Sequence, residues 1–432
     1  MRGQNERIRT FGLGFLITVL GFLVAYQFVE PAPPSTIRLA TGSALGAYQL
    51  FGESYRKILA RQGVTLELVP SEGSVANLRS LKDEATGIQV AFVQGGTAPA
   101  VDPSGLTALG SLFLEPLWVF MREGEQVDRL SRLKGRRLAV GAEGSGTRIV
   151  AFRLLDENGI GADEAEMLPL AGPEAHVALQ SGEIDAALVV ASPRAPLIEA
   201  MLKDESLRLM TFEQAEAYAL RTRYLSPVRL PRGVVDLGAD LPPADVTLVA
   251  PAAMMVARDD LHPALVSLLL QTARQVHGPG DLFETPGTFP SARFAEFPLS
   301  DEAERFLRSG PPLLQQYLPF WAANLVDRLK VMLIPVVTLL IPLSKILPPV
   351  YRWRVTSRIS RWYRDLLAIE TQAAEATDPQ ALKDMLTRLK AIDDEVKRLP
   401  VPLSYADAAY SLRMHIRLVR DIVDRQGKGE GE

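Results

Sequence analysis

Three stretches of this sequence set glycine beside serine or threonine just ahead of a helical pattern. They are TGSALGAY (residues 41–48), SEGSVANL (71–78) and GAEGSGTR (141–148). Free backbone N–H groups at a helix start, with hydroxyls around them, suit a carboxylate or another anion. One such loop reads as an ordinary N-cap; three of them suit a shared anionic ligand. Arg148 adds a planar cation able to grip a carboxylate with two hydrogen bonds, or to make a surface salt bridge instead. Tyr48 adds a ring that can stack on a ligand, hydrogen-bond to it, or simply pack.

Covalent and metal chemistry find no support. There is no cysteine, hence no thiolate nucleophile, zinc ribbon or cysteine-held iron–sulfur cluster. His176, His262, His277 and His415 are far apart and none begins an HExxH pattern, so no metal or cofactor is expected. In GAEGSGTR, Thr147 stands where a phosphate-binding loop needs lysine, and no serine sits in GxSxG. Asp163, Glu164 and Glu166 read as a solvated loop. The chain is expected not to be an enzyme.

The elements that must position these loops alternate. From Thr36, β-branched runs (TIRLATGS, VTLELVP, IQVAFVQ) interleave with amphipathic stretches, and the alternation restarts at RRLAVGA and runs through IDAALVV. This is the pattern of an α/β fold. The long apolar stretch VTLVAPAAMMVARDD and the helix LHPALVSLLLQTARQVHG return to the first unit, giving two lobes joined by crossing strands around a cleft. Open α/β sheets bind ligands at the carboxyl ends of their strands, where the three loops fall.

At 432 residues the chain should hold more than one folded unit. Its net charge of -4 hides an uneven distribution: residues 1–10 carry +2 and residues 352–364 carry +5, leaving -11 for the remainder. The overall balance gives no reason to expect nucleic acid. Residues 11–29 are 19 consecutive uncharged, mostly apolar positions, enough helix for a hydrocarbon core of roughly 30 Å. The exit, EPAPP, favours a retained anchor over a cleaved signal peptide. A second run, 331–350, holds Pro335 and Pro342, expected to kink it, and is followed by Arg352, Arg354, Arg358, Arg361 and Arg364 among Tyr351, Trp353, Trp362 and Tyr363. Basic flanks with an aromatic belt mark the cytoplasmic side of a bilayer.

In order along the chain, LATGSALGAY, PSEGSVANL, FVQGGTA, LEPLWVF, LKGRRLAVGAEGSGT and IDAALVVASPRAP resemble the motifs of the TAXI-type solute receptors of TRAP (tripartite ATP-independent periplasmic) transporters. The resemblance spans about residues 36–310. It implies a two-lobed type II periplasmic-binding-protein clamshell that closes on a small carboxylate or amino acid and delivers it to a sodium-coupled membrane transporter. Carried over motif by motif, it implies ligand contacts from Ser43, Tyr48, Ser74, Asn77 and Gln94 in one lobe. Ser145, Gly146, Thr147, Arg148 and Ser192 would come from the other. The chain departs from the family at Ser43, which replaces a glycine, at Gly95 and Gly96, which replace a serine and an aspartate, and at Ser192, which replaces a glycine. If the missing aspartate would have paired a ligand amine, a plain acid should be preferred over an amino acid.

The expected organisation is a cytoplasmic N-terminus (1–10), a transmembrane helix (11–29), a proline-rich spacer (30–35), lobe 1 (36–122), lobe 2 (123–240) and a return to lobe 1 (241–310). An amphipathic linker (311–330), a second transmembrane helix (331–350) and a cytoplasmic helical tail (351–432) follow. In the tail, Asp378-Pro379 and Pro400-Val401-Pro402 separate three helical pieces expected to form an antiparallel hairpin. The expected partners are the small ligand, the transporter's membrane subunit and the lipid bilayer of the bacterial inner membrane. The alternative is a solute sensor or assembly scaffold acting through the tail.

Overall fold

The computed structural model describes residues 2–27, 31–44, 46–124, 127–376, 378–398 and 406–427. The end of the 11–29 run, the first spacer residue Glu30 and the break at 400–402 lie outside them. The chain forms two compact units, Ala32–Leu325 and Met1–Pro31 with Val326–Glu432.

The elements in order are α1 (Arg2–Tyr26), β1 (Thr36–Ala40), α2 (Ala47–Arg61), β2 (Thr65–Val69), α3 (Ser74–Lys82), β3 (Val90–Gln94), β4 (Leu106–Leu114) and β5 (Leu117–Arg122). Then come β6 (Arg137–Ala139), α4 (Gly146–Glu157), β7 (Glu166–Leu168), α5 (Gly172–Ser181), β8 (Ala186–Val190), α6 (Pro196–Leu202), β9 (Leu207–Leu209) and α7 (Ala215–Arg221). The rest are β10 (Leu225–Leu230), β11 (Val246–Arg258), α8 (Pro263–His277), α9 (Asp301–Ser309), α10 (Leu313–Tyr317), α11 (Phe320–Glu375), α12 (Pro379–Lys397) and α13 (Ala406–Gly427).

In the larger unit the sheet runs β2-β1-β3-β11-β5-β8-β6-β7, with β4 and β10 also on β11 and β9 on β5. The pairs β1/β2, β1/β3, β6/β7 and β6/β8 are parallel. Strand β11 serves both halves. Its first part pairs with β10 and touches β5 at Val249–Leu117, and its second part pairs with β3 and β4. The chain therefore crosses between lobes twice, at Glu115-Pro116 between β4 and β5 and near Pro251 inside β11. These crossings lie inside the segments expected as lobe 1 and its return, so β5 belongs to lobe 2. The result is a two-lobed α/β clamshell.

Strand β3 is buried at all five positions, as a central strand covered on both faces must be. Period-2 alternation splits it: Phe92 faces a core with Leu39, Tyr55, Met255 and Leu269, whereas Ala91 and Val93 face Leu78, Leu81 and Met254. Lobe 2 has a separate core around Trp118, Phe120, Leu154, Leu188 and Leu248. The segment expected as a linker also joins this unit. Phe320 is buried in the lobe 1 core, its N–H donates to Gln62 Oε1 at 3.3 Å, and Gln271 bonds Gln315.

Helix α11, which belongs to the smaller unit from Val326 onward, is one continuous helix with Pro335, Pro342, Pro348 and Pro349 inside it. The second apolar run and the first tail piece are thus not separate helices. Within α11, Phe320–Trp353 is long and apolar enough to cross a bilayer by length and composition; α1 carries a shorter apolar stretch, Phe15–Tyr26. Leu366, Ile369 and Ala373 of α11 share a core with Leu382, Leu389 and Ile392 of α12 and Leu412, Ile416, Val419 and Val423 of α13. The expected hairpin is therefore a three-helix arrangement, because α11 covers the apolar faces that α12 and α13 cannot fully bury on each other.

Candidate functional site

The three glycine-bearing loops lie where expected, after β1, β2 and β6, each leading into a helix (α2, α3 and α4). Two of them meet across the cleft. The Val75 N–H donates to the Gly144 carbonyl at 3.2 Å, and a Cβ on Gly73 would lie 3.0 Å from Ser145 Cα. One strand deeper, a Cβ on Gly146 would come within 2.8 Å of Gln94 Cδ and Oε1. Gly96 stands equally close to the Tyr224 ring, where a Cβ would meet Cε2 at 2.8 Å. A Cβ at any of these three positions would press on an atom of the other lobe.

The predicted residues divide by what their polar atoms do. Gln94 is 4% exposed, and its Nε2 has no hydrogen-bond partner in the protein. Its own backbone N–H donates to Ser74 Oγ at 2.9 Å, so Ser74, Gln94 and Gly146 form one cluster. Asn77, fully buried, is consumed by backbone: its Nδ2 donates to the carbonyls of Thr41 (3.0 Å) and Phe92 (2.8 Å), and Ser71 Oγ donates to its Oδ1 at 2.6 Å. It pins the end of β1 to the middle of β3. Thr147 Oγ1 accepts the Val190 N–H at 3.1 Å, holding α4 against β8. Ser145 caps α4, accepting from Arg148 N at 3.3 Å and donating to the Ala142 carbonyl.

Arg148 is half-buried over the Phe152 ring, its guanidinium carbon 4.7 Å from the centroid, with Nη1 donating to the Gly141 carbonyl at 3.4 Å. Stacking of this kind pre-orients the planar fork while leaving other N–H groups available. Ser43 is exposed and Ser192 is buried. Ser43 supports its own turn through its carbonyl to Gly46 N, and Ser192 Oγ accepts Arg194 N at 3.3 Å.

Tyr48 turns toward the crossing, where its hydroxyl donates to Glu115 Oε2 at 2.6 Å and its ring packs 5.6 Å from that of Phe92. Burial, reinforced by the negative charge of Glu115, pushes its hydroxyl well above the usual tyrosine range.

Sequence reasoning missed three glutamates beside the crossings. Burial raises Glu115 to about 8, and its N–H donates to the Pro251 carbonyl, tying the two crossings together. Glu284 Oε1 accepts Leu114 N at 2.6 Å and is raised by burial to about 7. Glu296 Oε2 accepts Gly96 N at 2.6 Å, and burial raises it too. Tyr224, likewise missed, has a buried hydroxyl without a partner and is pushed up to about 12 by burial. Glu115 carried a signal, a lone acid within the apolar run ALGSLFLEPLWVFM; the others carried none.

The histidines occupy four unrelated places. His262 Nδ1 caps α8 by accepting Ala264 N, His176 meets Asp204 at 2.7 Å, and His415 meets Tyr363 at 3.0 Å. His277 sits among Phe51, Tyr55 and Phe113, where burial lowers it to about 3. Among the described residues no cluster of three or more His, Asp or Glu could hold a metal. A recess of about 390 Å³ lined by Phe120, Met201, Leu209 and Leu241 lies in lobe 2, away from the seam.

The chain belongs to the NMT1-like family, whose model matches residues 39–273. Solved structures with a similar fold include the periplasmic aliphatic sulphonate binding protein SsuA from Escherichia coli (15% identity, 57% of this chain and 69% of that one, TM-score 0.39). The alkanesulfonate-binding protein SsuA from Xanthomonas axonopodis pv. citri, bound to MOPS, is 16% identical over 57% of this chain and 74% of that one, with a TM-score of 0.39. An ancestral arginine-binding protein bound to arginine is 14% identical over 58% of this chain and 96% of that one, with a TM-score of 0.37.

Proposed function

We propose that this protein is a membrane-anchored extracytoplasmic solute-binding protein, which captures a small carboxylate or amino acid between its lobes for a TRAP-type transporter. One observation carries the reading: two buried donors, Gln94 Nε2 and Tyr224 Oη, lack protein partners where glycines from both lobes meet. Buried polar groups are ordinarily satisfied, so donors left free at a seam are suited to a ligand. In this reading Gln94, Tyr224, Ser74, Arg148 and the first N–H groups of α4 contact the solute. Asn77, Ser145 and the Thr147 hydroxyl position those groups.

A plain acid is the preferred solute. Gly96 offers no side-chain carboxylate to pair an amine, and the nearby Glu296 is occupied by the Gly96 N–H while burial raises it toward its neutral form. Anchoring rests on the apolar stretch of α11 and on the packing of α1 against it. A Cβ on Gly21 would lie 2.7 Å from Leu339 Cδ2, and Ala25, one turn on, is buried. Small residues four apart are what closely packed membrane helices use. The clamshell then lies in the periplasm and both termini in the cytoplasm.

Isothermal titration calorimetry on Ala32–Leu325, which retains the buried Phe320, tests the reading against matched dicarboxylates and amino acids. Heats from acids but not from their amino counterparts are expected; no heat from either class overturns it. The separate core of α11, α12 and α13 favours a second reading, in which the clamshell senses a solute and the helices signal. Solute uptake unchanged by deletion of the gene would select it.

A further inference from the structure

Helix α13 is apolar on two opposite faces. One face, Leu412, Ile416, Val419 and Val423, is buried in the three-helix core. The other is a run at four-residue intervals, Tyr410 (67% exposed), Met414 (60%), Leu418 (57%) and Ile422 (38%). At about 100° per residue the two faces are centred roughly 150° apart, so packing against α11 and α12 cannot cover the second. Contacts from α13 to its neighbours leave its flanks: His415 reaches Tyr363 and Arg413 reaches Asp393.

The exposed run is nearly palindromic about the level of Ile416. Met414 and Leu418 lie two residues to either side of it, and Tyr410 and Ile422 lie six. Asp407 and Arg425, both exposed and on the mid-line of the same face, lie nine to either side. We propose that this face binds a second copy of the same chain, α13 against α13, antiparallel across a two-fold axis at Ile416. The axis sets Met414 on Leu418 of the partner subunit and Tyr410 on Ile422 of the partner subunit. Each end is closed by an ion pair between Asp407 and Arg425 of the partner subunit.

Helices that cross at about 20° stay in contact over several turns, as closure by an ion pair at each end requires, and a two-fold contact requires a self-complementary patch. A parallel pairing would instead set Asp407 on Asp407 of the partner subunit and Arg425 on Arg425 of the partner subunit, which like charges oppose.

The natural chain has no cysteine, so single substitutions report cleanly. Full-length Tyr410→Cys and Ile422→Cys chains, purified in detergent, are oxidised separately and as a mixture. The mixture is expected to give a disulfide-linked dimer and each chain alone little, because twelve residues offset the like positions by about 18 Å. Analytical ultracentrifugation of the unaltered chain should give twice the protomer mass. Asp407→Arg should weaken the dimer by on the order of tenfold, and adding Arg425→Asp should restore it. All four side chains are exposed, so these variants should keep the circular dichroism of the parent. Self-linking of Tyr410→Cys, or a monomeric mass with no linking in the mixture, overturns the proposal. Binding of the monomer to anionic lipid vesicles through this face overturns it equally.

Discussion

The Tyr48 hydroxyl hydrogen-bonds Glu115 Oε2 at 2.6 Å, joining the first turn of α2 to the β4–β5 crossing, one of the two connections between the lobes. The Glu115 N–H bonds Pro251 in the other crossing. One buried side chain therefore touches the helix behind the first glycine loop, while its backbone links both inter-lobe connections.

Tyr48→Phe removes the donor and leaves a buried carboxyl without its partner, which costs about 1–3 kcal/mol. Since the tyrosine hydrogen bond lowers the Glu115 pKa against the larger effect of burial, the same change should raise it further. Urea titrations of Ala32–Leu325 should show the loss in stability, and a variant as stable as the parent would mean that the contact contributes nothing.

Glu115 also makes stability depend on pH. Its folded pKa of about 8 exceeds the 4.5 of an ordinary glutamate carboxyl, so between these values the folded state holds a proton that the unfolded state has released. Stability from this group is full below about pH 4.5 and falls as pH rises to about 8, by at most about 1.4 kcal/mol per pH unit. Glu284, raised to about 7, adds a slope of the same sign over a narrower window. Glu115→Gln should remove close to one proton from the linkage measured between pH 5 and 7.5 while leaving the contribution of Glu284. An unchanged slope would refute the assignment.

Gly146 is the close-approach glycine of the seam. It starts α4 with φ in the ordinary range, so alanine suits the helix, but the added Cβ would meet Gln94 Cδ and Oε1 at 2.8 Å and Gln94 Cβ at 3.0 Å. Gly146→Ala should therefore oppose closure and leave each lobe folded. The expected signature is a larger radius of gyration by small-angle X-ray scattering and about tenfold weaker solute binding, at an unchanged or slightly higher melting temperature without ligand. A parent-like radius and affinity would show that the seam tolerates the methyl group.

The lobes were legible because strands buried on both faces read as continuous apolar runs and the helices between them are amphipathic. So were the loops, since Ser145 and the glycines leave a local signature at helix starts. The roles within those loops were not. Asn77 and Thr147 look like ligand groups in sequence, yet backbone carbonyls and N–H groups 15 to 43 residues away claim them. Glu296 and Tyr224 reach Gly96 from distant segments, a juxtaposition with no local pattern. Continuity of α11 was hidden by its four prolines, which ordinarily end a helix but here lie within one.

The packing of α1 on α11 yields the last prediction. A Cβ on Gly21 would stand 2.7 Å from the tip of the Leu339 side chain, at Cδ2, so cysteines at the two positions face each other across the α1–α11 contact. In membranes of cells producing the Gly21→Cys, Leu339→Cys chain, oxidation should give an intramolecular disulfide, seen as faster migration that thiol reverses. Either single variant should lack it. Gly21→Leu should separate the helices, because extra volume at a close contact costs about 1–3 kcal/mol. It should lower the melting temperature of the full-length chain in detergent, whereas Gly12→Leu, with nothing within 4 Å of its added Cβ, should not. Removal of α1 as a leader would abolish the disulfide together with an N-terminal epitope tag, whereas a mispacked but retained helix would lose the disulfide and keep the tag.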